Sequence, residues 1–296
     1  MLDYKLLEAL GAVMHHQGFE RAARHLGLTQ SAVSQRIKLL EARLGQPVLV
    51  RGNVPEATDL GRRLLNHVQQ VQLLEEELTT SLPQFAGTER HLRVAINADS
   101  ISTWWPEAMG TFMRDHPMTL DLVIEDQDVG LQRMRHGEVA ACLCASQQPV
   151  QGTRVVALGK MRYRSLAHPE FVKRYLPDGP TAKDLARSPA IVFDLNDQLQ
   201  HRCLAEFGIA GPFPHHFCAS TEGFIQLVRA GIGWGMMPEL QVANLIETGE
   251  LVDLVPGYYL DVPLYWHYWR LGGESLDALA RHLEREARRV LVQDDV

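Results

Sequence analysis

The 296-residue chain predicts a multidomain fold with a small, mainly helical head, one long connecting helix and an α/β body. Three observations predict it. Two helical stretches separated by a tight turn fall within the first 45 residues. A run of three- and four-residue apolar steps follows Asp59, and from His91 onward apolar strand-like runs alternate with helical ones.

Leu6, Leu7, Leu10, Val13 and Met14 recur at helical spacing over residues 3–16, and Gly18 ends that helix. Residues 19–26 read as a short second helix. In "GLT" Gly27 can take a positive φ and Thr29 can cap the next helix with its hydroxyl. From Gln30 to Leu44 the residues Val33, Ile37, Leu40 and Leu44 make one apolar stripe, which Gly45 stops. "PVLVRGNVPEAT" reads as two short strands around a turn. Asp59, favoured by the helix dipole, opens a long helix whose Leu64, Val68, Val71, Leu74 and Leu78 form a pairing seam of about two heptads. "SLPQFAGTER" then breaks the pattern as a linker. In the body "HLRVAI", "LDLVIE", "VAACLCA", "AIVFD" and "LYWHYW" read as strands, with helices at 102–115, 129–136, 198–207, 221–230, 238–248 and 274–292. This alternation predicts a largely parallel sheet, and about 200 residues suffice for two lobes.

Composition narrows the class. No apolar run approaches the roughly 18–20 residues of a membrane span, so no membrane association is expected. The start "MLDYKLLEALGAV" is an amphipathic helix with acidic residues rather than an export signal, which predicts a cytoplasmic protein. Cys142, Cys144, Cys203 and Cys218 fit that compartment as reduced thiols. Their spacing, like that of His15-His16 and His215-His216, is not that of metal ligands, so neither metal nor cofactor is expected. The formal charge of −7 is unevenly spread: residues 1–63 hold nine Lys and Arg against six Asp and Glu, the remainder 20 against 30. A basic head on an acidic body suits a polyanion.

The second helix of the hairpin carries the sharpest functional signal. Ser31, Ser34, Gln35 and Lys38 lie at i, i+3, i+4 and i+7 on a face turned away from the apolar stripe. An idle solvated face is usually rich in Glu and Lys. Short hydroxyl and amide groups instead allow close approach to a surface and hydrogen bonds to base edges or phosphates, as a helix-turn-helix makes in the major groove of double-stranded DNA.

The first 80 residues, with "FERAARHLGLTQSAVSQRIKLLEARLGQPVLVR" at their heart, resemble the LysR-type transcriptional regulators, and the resemblance runs through nearly the whole chain. "NADS" and "LYWH" resemble the arginine- and lysine-responsive branch of that family. The resemblance implies a winged helix-turn-helix over 1–58, a dimerising linker helix over 59–80, a hinge over 81–90 and a periplasmic-binding-protein-like effector domain over 91–296. Lobe 1 would span about 91–161 and 265–296, lobe 2 about 162–264. It implies DNA contacts from Thr29, Gln30, Ser31, Ser34 and Arg36 on the second helix and from Arg51 on the wing, to which the polar face adds Gln35 and Lys38. Wings of this family usually carry a second Arg, whereas here Glu56 stands near that place. A homodimer or homotetramer, control of basic amino acid export genes and, for an activator, RNA polymerase as a further partner are also implied.

Four loops after strands share a composition: "NADSIS", "EDQDVG", "FDLNDQ" and "ASTEGF". Ligands of α/β sheets bind just outside the carboxyl ends of strands. Ser100 and Thr221 suit a ligand carboxylate, while Asp99, Glu125, Asp126, Asp194 and Glu222 suit cationic groups through charge-assisted hydrogen bonds. One small molecule carries both ends, a basic amino acid. Each of these residues taken singly also fits a helix cap, and Trp104 and Trp105 fit the core better than a pocket wall.

Other classes fit less well. An enzyme is not expected, because the chain has no Gly-rich phosphate loop, no GxSxG elbow and no metal-spaced His and Glu set; "GIGWGMMP" sits between a helix and a strand, as a tight turn does. A free-standing amino acid transport protein would need an export signal and no DNA-binding head. The alternative that keeps the regulator changes its signal to an aromatic or organic acid, or to thiol oxidation.

Overall fold

The computed structural model describes residues 2–50, 52, 54–81, 90–124 and 130–293. Its head starts with α1 (Tyr4–His15), α2 (Phe19–His25) and α3 (Gln30–Leu44). The Asp3 side chain accepts from the Lys5 N–H to cap α1, Thr29 Oγ1 accepts from the Ala32 N–H at 3.2 Å to cap α3, and Gly45 at φ +69° ends α3 in the left-handed region. The strands β1 (Leu49–Val50) and β2 (Glu56–Ala57) pair antiparallel as the wing. Glu41 ties the wing back to α3 by accepting from the Val48 N–H at 3.0 Å. Thr58 donates to Pro47 O and accepts from the Gly61 N–H, starting the long α4 (Asp59–Ser81). Gly61 is required there, since a Cβ would run into the Val48 carbonyl.

Leu7, Leu10, Val13, Val33, Ile37 and Val48 make the fully enclosed centre of the head, and Leu64, Leu65 and Val68 of α4 close it. Two positions of the expected pairing seam, Leu64 and Val68, are therefore used inside the chain. Val71 stays half-buried and Leu74 exposed, and the Leu78 side chain lies outside the described residues.

The body contains β3 (Arg90–Ile96), α5 (Ala98–Ser102), α6 (Trp105–Met113), β4 (Met118–Ile124), α7 (Gly130–Arg135), β5 (Ala141–Cys144) and β6 (Thr153–Ala167). After these come α8 (Pro169–Tyr175), α9 (Ala182–Leu185), β7 (Ala190–Val192), α10 (Leu199–Ala205), β8 (His215–Phe217) and α11 (Thr221–Arg229). The chain finishes with β9 (Gly235–Pro238), α12 (Glu239–Glu247), β10 (Val252–Asp253), β11 (Tyr259–Trp269) and α13 (Gly273–Val290).

The main sheet runs β10-β6-β11-β5-β3-β4, with β9 also on β6, and an isolated bridge between Ala190 and Trp234, the residue before β9, ties a parallel β7-β8 pair to it. Among the described residues the parallel ladders are β3 with β4, β3 with β5 and β7 with β8. The expectation of a largely parallel sheet is thus corrected. The reason is that β6 and β11 are long antiparallel strands which pass from one lobe to the other. Their ladder shifts register between Leu264 and Tyr265, opposite Gly159 at φ +125°, and this break separates the lobes.

Lobe 1 packs Val94, Ile96, Trp105, Met109, Leu143 and Trp266 under α6 and α13. Trp104 and Trp105 are both buried there. In lobe 2, Arg162 forms a bidentate pair with Asp261 at 2.8 Å, and Arg164 joins Asp253 at 2.6 Å and Glu239 at 3.0 Å. These pairs knit β6 to β11, β10 and α12. The head rests on lobe 1: Asn66 Nδ2 donates to Arg135 O at 2.5 Å, and Arg93 Nη1 donates to His15 Nδ1 at 2.9 Å.

Candidate functional sites

The hydroxyl and amide face of α3 stands open. Thr29, Gln30, Ser31, Gln35 and Lys38 are exposed and Ser34 is half-buried, while Val33, Ile37 and Leu40 point into the head. Thr29 and Ser31 hydroxyls hydrogen-bond at 3.0 Å, which fixes the first turn of the helix. Ser31, Ser34, Gln35 and Lys38 share one face. Arg36 does not: it lies about 140° round the helix from Ser31. Its guanidinium turns to α1, donating to Lys5 O at 3.4 Å with Glu8 at 3.8 Å, so it braces two helices rather than joining the open face. Arg51 lies outside the described residues. Glu56 on β2 is exposed.

A cavity of about 450 Å³ opens between the lobes, within the range of small-molecule sites. Asn97, Ala98 and Asp99 wall it from lobe 1, Phe193, Asp194 and residues 196–199 with Arg202, Thr221 and Gln241 from lobe 2, and Val262 and Pro263 from the crossing strand. The sequence expectations divide here. Asp99, Asp194 and Thr221 line the cavity. Ser100 does not: it is fully buried on the inner side of α5, its hydroxyl without a hydrogen-bond partner among the described residues. Glu222 is also off the wall, exposed on α11 and accepting from Gln226 at 2.7 Å. Glu125 and Asp126 lie outside the described residues.

Hydrogen bonds set the acids' roles. Asp99 Oδ2 accepts from the Tyr163 hydroxyl at 2.6 Å, which couples α5 to β6. Asp194 Oδ1 accepts from the Asn196 N–H at 2.7 Å, forming an Asx turn. Asp197 takes backbone N–H bonds from Phe193 and Leu199, both at 3.0 Å, so its carboxylate holds the loop. Burial nevertheless raises its pKa, against the pull of those two bonds. Ser220 caps α11 by accepting from the Gly223 N–H, which leaves Thr221 to the cavity.

Asn97, Gln198, Arg202 and Gln241 were not anticipated from sequence. Arg202 had a readable signal, since it follows Leu199 by one turn on a helix whose Gln200, Cys203 and Leu204 face inward. Cys142, Cys144 and Cys203 are buried and Cys218 half-buried, and burial pushes the Cys203 thiol up to about 12. Among the described residues no three metal-ligating side chains gather, and no helix is long and apolar enough to cross a membrane.

Comparison with known proteins follows the same division. Residues 4–62 match the family model of the bacterial regulatory helix-turn-helix protein, lysR family, and residues 85–291 match the LysR substrate binding domain. The HTH-type transcriptional regulator ArgP of Pseudomonas fluorescens (strain Pf0-1) is 59% identical over 297 residues, covering 100% of each chain. The crystal structure of ArgP from Mycobacterium tuberculosis superposes with a TM-score of 0.88 at 37% identity, covering 100% of each chain. Full-length LysG from Corynebacterium glutamicum with bound effector Arg superposes with a TM-score of 0.78 at 33% identity, covering 98% of this chain and 100% of that one.

Proposed function

The chain belongs to the LysR family of DNA-binding transcriptional regulators, and we propose that its interlobe cleft senses arginine or lysine to control genes of basic amino acid export. One observation carries the choice of effector: Asp99 from lobe 1 and Asp194 from lobe 2 wall the same cavity. Two carboxylates on opposed lobes suit a dication held between them by charge-assisted hydrogen bonds. The arginine bound to LysG of Corynebacterium glutamicum supports the same ligand class.

In this reading Thr29, Gln30, Ser31, Ser34, Gln35 and Lys38 meet DNA from α3, with Arg51 reaching a phosphate from the wing and Arg36 holding α3 on α1. The exposed Leu74 on α4 supports pairing with a second copy, as a homodimer or a dimer of dimers. A ligand bridging the lobes favours one lobe orientation by its differential affinity for it. The seam from Asn66 to Arg135 and from His15 to Arg93 would carry that orientation to the head.

Calorimetry of the full chain against L-arginine, L-lysine, glutamate and benzoate tests the reading. Heat from a basic amino acid is expected, weakened about tenfold or more by Asp194→Asn, the loss of one hydrogen bond between charged groups. Heat from an anion alone would overturn it. A footprint of the chain's own upstream region with and without the bound amino acid then reads the regulatory effect.

A further inference from the structure

We propose that Arg202 captures the α-carboxylate of the effector and so makes the cleft a receptor for intact basic amino acids rather than for their decarboxylated amines. The inference rests on the basic amino acid reading of the cleft. Among the described residues that wall the cavity Arg202 is the single cation, set against Asp99, Asp194 and Asp197. Three other arginines of lobe 2 are committed: Arg162 to Asp261, Arg164 to Asp253 and Glu239, Arg229 to Glu250. Arg202 is exposed, and among the described residues its guanidinium has no ion-pair or hydrogen-bond partner. Its place on α10, one turn past the cavity-lining Leu199, turns it to the ligand side of the helix.

The burial of Ser100 strengthens the assignment. With that hydroxyl enclosed away from the cavity, a carboxylate needs another partner, and of the donors in the wall, Thr221, the amides of Asn97, Gln198 and Gln241, and Arg202, the last alone among the described residues is charged. A planar guanidinium is the better anchor, because it can donate two parallel N–H bonds to one carboxylate. Charge balance agrees. Asp197 is occupied by the Phe193 and Leu199 N–H groups, and burial disfavours its charged form. The loop bonds of Asp194 fall on Oδ1 alone, unlike those of Asp197, which take both oxygens, so Asp194 and Asp99 stand in the wall as two acids beside one cation. A basic amino acid presents the complement, two cationic groups and one carboxylate.

Isothermal titration of the full chain with L-arginine, L-lysine and agmatine tests the inference in the wild type, Arg202→Gln and Arg202→Lys. The wild type is expected to bind arginine about 10- to 100-fold more tightly than agmatine, the range for a hydrogen-bonded charged pair. Arg202→Gln should bring that ratio towards one by weakening arginine and lysine while leaving agmatine as tight or tighter, and Arg202→Lys should restore part of the ratio. Tm without ligand should be the same in all three, since the side chain is exposed and unpartnered. An unchanged ratio in Arg202→Gln, or equal weakening of all three ligands, overturns the role of Arg202. A wild type that binds agmatine as tightly as arginine does so too, yet leaves the basic-ligand reading standing. A wild type that binds none of the three removes both.

Discussion

The head and the body solve the same problem, presenting a recognition surface, on opposite plans. The buried core of the head comes from elements consecutive in the chain, between Leu6 and Val68. The surface proposed to read DNA is centred on one face of α3, convex and contiguous along a single helix. The body assembles its sheet in the order β10-β6-β11-β5-β3-β4, and its cavity draws residues from Asn97 to Pro263. Local contacts fix the first surface and long-range pairing the second. The head can therefore change sequence on α3 without disturbing its fold, whereas the cleft depends on the packing of a whole lobe.

Removing a large side chain from the body tests that separation most severely. Trp234 is fully buried between β7 and β9, its indole N–H donating to Ser188 O at 3.3 Å. Trp234→Ala should cost about 3–5 kcal/mol from the cavity left behind. All five tryptophans lie beyond residue 100, so fluorescence reports the body alone while retention on DNA reports the head. A lower urea midpoint by fluorescence with DNA retention little changed at low urea is the expected pair of results. If both signals fell together, the two regions would be one cooperative unit.

Next in size is the converse change on the head. Ser31→Glu with Ser34→Glu places two carboxylates on the open face of α3, towards the phosphates and base edges of the duplex. Specific DNA affinity should fall about 100-fold or more, since each good base contact is worth roughly 1–3 kcal/mol. Arginine binding by calorimetry and the fluorescence-detected midpoint should not move. Retained specific affinity would remove α3 as the reading helix.

The same contrast explains what could be read from sequence. The α3 helix was legible because its cap Thr29, its stripe and its stop at Gly45 are all local signals. The strands β3, β4, β5 and β7 were legible as apolar runs. The 15-residue β6 was not, because Lys160, Arg162 and Arg164 interrupt its apolar pattern. Asp261, Asp253 and Glu239 neutralise the two arginines from elements some 75 to 99 residues away. Asp99, Asp194 and Thr221, placed after strands, line the cavity, but position after a strand says nothing of which way a side chain turns. Ser100 rotates into the core of lobe 1 and Glu222 into solvent. Arg202 escaped because a search for acids and hydroxyls passes over a lone cation.

The smallest expected effect lies where the two regions touch. His15 Nδ1 accepts from Arg93, which also pairs with Asp121 at 3.0 Å, and the ring packs on His16, itself against His25. Desolvation holds the His15 pKa below the ordinary imidazole value, helped by Arg93, His16 and His25 and opposed by Asp121. A depressed imidazole pKa means the docked arrangement favours neutral His15. The contact is therefore intact above the ordinary value of about 6.5 and fades as pH falls through it towards the lower docked value. Protonation takes away the lone pair that Arg93 donates to and sets two cations face to face. The ratio of DNA affinities with and without arginine should thus shrink between pH 8 and pH 6, by no more than about fivefold for a pair this exposed. His15→Gln keeps an acceptor that does not titrate, so its ratio should hold level across the same range. An identical pH profile in the variant would show that the effector signal reaches the head by α4 alone, through Asn66 and Arg135.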